Sequence, residues 1–448
     1  MKRKTFITLS SALMTAPLLS SLPSFAQDKK LKNWAGNFEF STNQVFYPAT
    51  VEELQKRVKE LSKVKGLGTR HCFNRIADSK DNLISLTEMN KVISIDEKAK
   101  TVTVESGIKY GVLAPYLNEK GFALHNLASL PHISVAGSIT TATHGSGVGN
   151  GNLATAVTGL EMVTADGQLV HLSKEKDGEH FLGAVVGLGA LGIITKVTLK
   201  IEPRYLVKQN VYVGLPLSEL NNNFDKIVSA GYSVSLFTNW QTDCINEVWI
   251  KSRVDAKDQP ALGEDFYGAK GATQNLHPIA EISAENCTEQ MGVPGNWYER
   301  LPHFKMGFTP SSGVELQTEY FVAHTNAVEA FQAIQRLGKQ IGPHLLISEI
   351  RTIAADNFWM SPCRHQPSVA FHFTWKQEWE AVSKLLPFIE KELQPYNARP
   401  HWGKLFAMSP ATLQSKYEKL ADFKKVVGEY DPKGKFRNEF LDRYIFTV

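Results

Sequence analysis

Between Leu127 and Gly151 the chain reads LASLPHISVAGSITTATHGSGVGNG, a stretch that neither a helix nor a hydrophobic core can absorb. Glycine loses more conformational freedom on ordering than any other residue, and hydroxyl side chains compete for backbone hydrogen bonds, so helix is disfavoured. Large apolar side chains are too few to bury. Ordered domains keep loops of this length for binding or catalysis. A second glycine-bearing loop lies upstream, Gly66 to Ala77 (GLGTRHCFNRIA), after a helical pattern from Val51 to Lys63. Its two glycines let the backbone turn sharply and aim N–H groups at phosphate oxygens, with one histidine, His71, held alongside. Alone it reads as an ordinary surface turn. Two such loops together can hold a dinucleotide between them.

Gly187 to Gly192 (GLGALG) matches the pattern GxGxxG. A dinucleotide fingerprint of that kind must come after a strand and open a helix. Here the glycines lead instead into Ile193 to Ile201 (IITKVTLKI), β-branched and alternating, which is a strand. The Rossmann reading is rejected, and the glycines are expected to form a tight turn near the cofactor.

The first residues are expected to be a cleaved leader. Lys2, Arg3 and Lys4 form a basic start, an apolar run continues to Leu22, and Ala26 offers a cleavage site. Pro17, Pro23 and several serines argue against a membrane span. Arg3 to Ile7 (RKTFI) loosely matches a twin-arginine signal, with Lys4 where the second arginine belongs, and unfolded export is equally open. The protein is thus expected outside the cytoplasm, periplasmic or secreted. Losing residues 1–26 removes three basic and no acidic residues, so the formal charge falls from +4 to +1. That excludes a generally basic surface, and with it nucleic acid as a partner. The 4 cysteines form no CxxC pair, which disfavours zinc, and make no disulfide framework.

The remainder is read as α+β. Val45 to Pro48, Lys100 to Glu105 and a hairpin about Asp166-Gly167 are strands in the first half, with a helix from Tyr110 to Lys120. After Pro203, strands are expected at 211–213, 233–239, 247–253, 314–322, 345–353 and 369–376. Helices are expected at 328–341 and 378–393, covering one face of the sheet. Residues 255–308, rich in glycine, proline and asparagine, are expected to be a long loop or lid. Spacings of two put Glu349 with Arg351, and His372 with Thr374, on common strand faces; Gln317 offers a third polar position. Such residues could direct hydrogen bonds at a ligand, and from spacing alone they are read as a solvated face. Phe371, Phe373 and Trp375 alternate with His372 and Thr374, so either face could be the buried one. Lys404, in a segment with His401 and Trp402, is a candidate base if partly desolvated.

Five segments, taken in order, carry a resemblance: 33–37 (NWAGN), 67–74 (LGTRHCFN), 128–138 (ASLPHISVAGS), 143–151 (THGSGVGNG) and 401–404 (HWGK). The chain resembles the FAD-linked oxidases of the vanillyl-alcohol oxidase superfamily, and within it the alditol (xylitol) oxidases. The resemblance implies a two-subdomain PCMH-type FAD-binding domain over 33–203. It also implies a substrate domain over 204–400, with a mixed or antiparallel sheet covered by helices, and a segment over 401–448 that returns to the FAD domain. It implies FAD bound covalently through His71, with Leu67, Gly68, Thr69, Arg70, Cys72, Phe73, Ser134, Gly137, Thr141, Ala142, Thr143, His144, Ile194 and His401 around it. Relatives more often carry serine at Cys72, and bicovalent ones add a cysteine in the second loop; none lies between residues 73 and 243, so one link is implied.

For substrate the resemblance implies Ser129, Gln317, Glu349, Arg351 and Thr374, with Lys404 and His372 as catalytic residues. Glu349 and Arg351 are expected to clamp neighbouring hydroxyls. Lys404 is expected to stay charged and stabilise an alkoxide, because Glu349 and other polar groups favour the ammonium. The implied activity is oxidation of a terminal CH–OH of alditols by O2, giving an aldose and hydrogen peroxide, in a monomer not inserted in a membrane. The alternatives are a sugar-1,4-lactone oxidase or dehydrogenase of the same superfamily, and an exported solute-binding protein, which would be colourless.

Overall fold

In the computed structural model, which describes residues 30–256, 262–307 and 313–447, strand patterning decides the layers. The expected leader lies outside the described residues. Val102 and Val104 alternate along Thr101–Glu105 and are both buried, as a one-sided strand requires. That strand stands in a 5-stranded antiparallel sheet in the order Val92–Asp96, Thr101–Glu105, Ile193–Lys200, Val157–Val163, Leu169–Ser173. The last two make the hairpin expected about Asp166-Gly167. Beside it is a 3-stranded parallel sheet of Val45–Phe46, Leu83–Ser85 and Lys65–Leu67. The first glycine loop leaves from Leu67.

The turn Gly187–Gly192 leads into strand Ile193–Lys200, not a helix. Leu188 and Gly189 both take positive φ, 53° and 64°. Lys65 Nζ donates to the carbonyls of Leu188 (3.1 Å), Gly189 (2.8 Å) and Phe436 (3.2 Å), so one buried ammonium ties three distant segments. Phe436 belongs to the C-terminal segment, which also docks through Val64 N on Lys435 O (3.0 Å). Asn438 adds bonds to the carbonyls of Arg75, Ile76 and Asp78.

Among the described residues of the second half, a 10-stranded sheet forms. Its centre runs Leu206–Pro216, Cys244–Arg253, Ser233–Thr238, Leu345–Ile353, Ser368–Lys376, Glu315–Ala323, all antiparallel. The strand expected over Val211 to Val213 is the middle of Leu206–Pro216. The helix expected over 328–341 is two, Ala327–Gln335 and Gly338–Ile341. The break lets Gly338 sit against Trp240, where a Cβ would come within 2.3 Å of the Trp240 carbonyl oxygen. Region 255–308 is less featureless than expected: it adds strands Asp265–Phe266, Ala269–Gly271 and Gly295–Asn296, and helix Trp297–Arg300.

Strand Ser368–Lys376 resolves the question of its faces, because both are buried. Phe373 stacks on Trp375 (5.1 Å) and on Trp240 (6.1 Å), and Trp240 packs on Phe331 of helix Ala327–Gln335. The indole N–H groups of Trp375 and Trp240 donate to Thr318 and Ser348, so this aromatic face hides no unpaired donor there. The opposite face points at the two glycine loops.

Candidate active site

Strand register assembles the polar residues into rows. Glu319, His372 and Glu349 are direct cross-strand neighbours, and Gln317 stands opposite Thr374. Two residues along lies Arg351. Each of Gln317, Glu319, Glu349, Arg351, His372 and Thr374 is 8% exposed or less, which rules out a solvated sheet face. They line a cavity of about 1560 Å³, counting its open mouth, whose other wall is Gly68 to Phe73, Ser129, Ser134, Gly137, Thr141, Thr143 and His144.

Charges there are paired tightly. Arg351 donates to Glu319 Oε1 (2.7 Å) and Ser129 Oγ (3.2 Å), and its Nε lies 3.6 Å from Glu349 Oε2. Burial alone would raise the Glu349 carboxyl, but Arg351 and His303 outweigh it and hold it below the usual range. Glu319 is likewise held low against its burial, by His144 (Nε2 at 3.2 Å) and Arg351. The expected clamp is therefore modified: Arg351 grips Glu319 and Ser129, while Glu349 is held by His303 (2.7 Å). Burial pushes His372 and His401 down to about 3, so both rings are neutral at physiological pH.

Lys404 Nζ donates to Gln317 Oε1 and lies 4.8 Å from the Phe73 ring centre, while the Gln317 Nε2 amide donates to Glu315. Burial lowers the Lys404 pKa, with Glu319 opposing and Arg351 assisting. The shift runs toward the neutral amine, opposite to the direction expected from neighbouring charge. The apolar surroundings dominate, and the carboxylates acting on it are Glu319 and Glu315, not Glu349. Lys404 is positioned by a tight turn, with Lys404 N on His401 O (3.0 Å) and Gly403 N on His401 Nδ1 (3.0 Å). Asn74 holds the carbonyls of Trp402 and Lys404 at 2.8 and 2.6 Å, fastening this turn to the first glycine loop.

In that loop Arg70 takes a left-handed φ of 64°, a conformation costly for a side chain with a Cβ. Trp34 N bonds Arg70 O (2.8 Å) and the Trp34 ring stacks on His71 at 5.5 Å. His71 Nδ1 lies 3.0 Å from Thr69 Oγ1, which also receives Ser134 N from the second loop (3.4 Å). Among the described residues His71 Nε2 is buried and bonded to no protein atom. Burial takes its pKa down to about 3, which leaves a lone pair free for bonding. A narrower cleft continues from Gly68 past Leu67, Ser106, Gly189 and Ile194. Ala142 is not on a cavity wall; it is buried behind Thr141 and Thr143 with φ 55°.

The FAD binding domain family matches residues 42–173, and the D-arabinono-1,4-lactone oxidase family matches residues 313–444. An alditol oxidase of Streptomyces sp. (strain IKD472 / FERM P-14339) is 45% identical over 91% of this chain and 97% of its own. The chain belongs to the FAD-linked alditol oxidase family. An L-gulono-1,4-lactone dehydrogenase of Mycobacterium tuberculosis is 27% identical over 92% of this chain and 98% of its own. In fold the chain is similar to cholesterol oxidase from B. sterolicum (TM-score 0.73, 15% identity, 96% of this chain and 100% of that one). It is also similar to a carbohydrate oxidase from Microdochium nivale (TM-score 0.71, 16% identity, 93% and 95%).

The residues of this oxidase fit FAD. A Cβ on Gly68 of the first loop would stand 3.2 Å from Ser134 Oγ of the second, so the two loops run close together there. The unbonded His71 Nε2 opens on the same space. The two loops, Ile194 and His401 would hold the cofactor. Sequence reasoning passed over Glu319, although its spacing of two from Gln317 placed it on the same face. It also passed over His303 and Phe304, which line the cavity from the region expected to be a lid and carry no periodic signal. Among the described residues no cluster of His, Cys, Asp or Glu suited to a metal occurs.

Proposed function

We propose that the protein oxidises the terminal CH–OH of alditols of the xylitol or sorbitol type to the aldose, with O2 reduced to hydrogen peroxide. The observation that carries this is the buried polar sheet face across the cavity from His71. Many hydrogen-bonding groups sit there, and the Arg351 guanidinium is already paired with Glu319 and Glu349. Such a wall binds a neutral polyhydroxyl molecule by directed hydrogen bonds. FAD, when bound, supplies the acceptor for the hydride leaving the substrate carbon. Gln317, Thr374 and Glu349 orient the hydroxyls. The Lys404 amine takes the hydroxyl proton, because burial leaves it neutral in larger fraction than a solvated lysine. Ser129, held by Arg351, closes the opposite side, and the burial of these groups keeps water out.

Purified enzyme given a panel of alditols and sugar-1,4-lactones is expected to release peroxide fastest with an alditol. The match of residues 313–444 to a lactone oxidase family supports a second reading, which faster turnover of a lactone would select. Turnover with an artificial dye but no peroxide would replace O2 by another acceptor.

His71 is read as the covalent anchor of FAD, which would keep the cofactor on an exported enzyme. Flavin is expected to stay with the chain after acid precipitation of the native protein and to be extracted from His71→Ala. Free flavin from the unsubstituted protein would leave FAD binding intact and remove the bond.

A further inference from the structure

Lys251 stands on strand Cys244–Arg253, on the same sheet face as Trp249 and, across the sheet, Arg351, and it is 1% exposed. Its Nζ meets three acceptors: Leu301 O at 2.6 Å, Pro302 O at 3.0 Å and His303 Nδ1 at 3.0 Å. An ammonium has three N–H donors and no lone pair, so these partners use it completely. His303 Nδ1 is then the bare nitrogen, and a neutral imidazole carries its proton on Nε2, 2.7 Å from Glu349 Oε1. The ring is fixed by edge contacts to Phe237 (5.6 Å) and Trp249 (5.2 Å). Its backbone is held by Thr288 N on His303 O (2.9 Å) and His303 N on Ser129 O (3.1 Å).

We propose that Lys251 is a positioning residue for the substrate-binding carboxylate, setting the tautomer of His303 so that Nε2–H donates to Glu349 and holds it ionised in one place. The inference rests on the alditol-oxidising reading, since it assigns Glu349 to the substrate's hydroxyls. If the ammonium loses its proton, the amine keeps two N–H groups for three acceptors and gains a lone pair, which opens to His303 the tautomer with its proton on Nδ1. Its Nε2 lone pair then faces the Glu349 carboxylate, and the two repel. Burial lowers Lys251 to about 7, with Glu349 and Cys287 opposing and Arg300 and Arg351 assisting. Burial and then Lys251 bring His303 down to about 4, against Glu349, with Arg351 also lowering it. The donor state therefore prevails below about pH 7, and substrate binding weakens as pH rises through that value.

The test uses flavin-loaded wild type, Lys251→Met, His303→Gln and the double variant. Nitrogen-15 NMR of histidine-labelled holoenzyme reads the tautomer without substrate, the His303 signal being the one lost in His303→Gln. The Nε2–H form is expected at about pH 6 in wild type, and the Nδ1–H form at about pH 9 and in Lys251→Met. With the alditol, Lys251→Met is expected to raise KM roughly tenfold with kcat little changed. In His303→Gln the amide N–H donates to Glu349 whatever Lys251 does, so adding Lys251→Met should change KM little. An Nε2–H form persisting in Lys251→Met, or the same KM factor in both backgrounds, would overturn the proposal. If Lys251→Met fails to fold, the wild-type titration decides, and an Nε2–H form unchanged between those pH values overturns it. A folded wild type inactive on alditols removes the functional reading, while the NMR still judges Lys251.

Discussion

Replacing Lys404 by methionine is expected to slow reduction of the flavin by an alditol by roughly 10²–10⁴-fold, the usual worth of a positioned proton acceptor. Bound flavin should be unchanged, because Lys404 is fastened to the sheet through Gln317 rather than to His71. The pH dependence has a definite sign. Burial lowers the Lys404 pKa, so the amine is neutral in larger fraction than a solvated lysine at any given pH. Anaerobic stopped-flow reduction should accelerate as pH rises through that depressed value and level off above it. Lys404→Arg keeps a charge that does not dissociate, so it should be about as slow as methionine. Partial rescue by arginine would instead make the charge, and not the lone pair, the useful property.

Removing Arg351 should cause the largest loss of stability. Its guanidinium lies between two buried carboxylates, Glu319 and Glu349, and it is what holds Ser129. Breaking a buried ion pair from one side costs about 3–5 kcal/mol, because the remaining charge has no partner. In wild type both carboxyls titrate below their unfolded values, so their stabilising contribution is present above about pH 4.3 and lost on acidification. In Arg351→Ala their pKa values rise, and the loss should be greatest at neutral pH and shrink toward the unfolded carboxylate pKa. Melting curves at about pH 7.5 and about pH 5 would check this. An equal fall in Tm at both would mean that only packing was lost. Arg351→Lys should lie between, since it restores charge without the planar fork that reaches both Glu319 and Ser129.

Much of this site was legible because strands have period two. Glu349, Arg351, His372 and Thr374 could be put on common faces from spacing, and the glycine loops announced themselves by composition. Spacing could not say which face was wet. Ser368–Lys376 alternates aromatic and polar residues, and both sets are buried, one under helices and one against the cofactor domain. A solvated strand has the same pattern, and the decision lies in contacts far apart in sequence. His303 and Lys251 illustrate a harder limit. Their pairing joins an irregular loop to a strand, and nothing local distinguishes a buried lysine with three acceptors from a surface one. The direction of the Lys404 shift was out of reach for a related reason: neighbouring carboxylates were guessed from sequence, but the extent of burial, which lowers its pKa, was not.

The cage around Lys65 has a consequence for the order in which the molecule can be made. Its ammonium closes on Phe436, a partner 371 residues further along the chain. Ribosomes release polypeptide from the N-terminus onward, and domains generally fold as they emerge. Here Lys65, on the strand that launches the flavin loop, lacks one of its three carbonyl ligands until residues 434–438 have been translated. Capture of the cofactor is thereby expected late, in the finished polypeptide rather than in its nascent first half. A ribosome-stalled chain ending before Lys435 should leave Lys65 with a single turn to hold and bind flavin poorly, although almost every residue that touches the cofactor has already been synthesised.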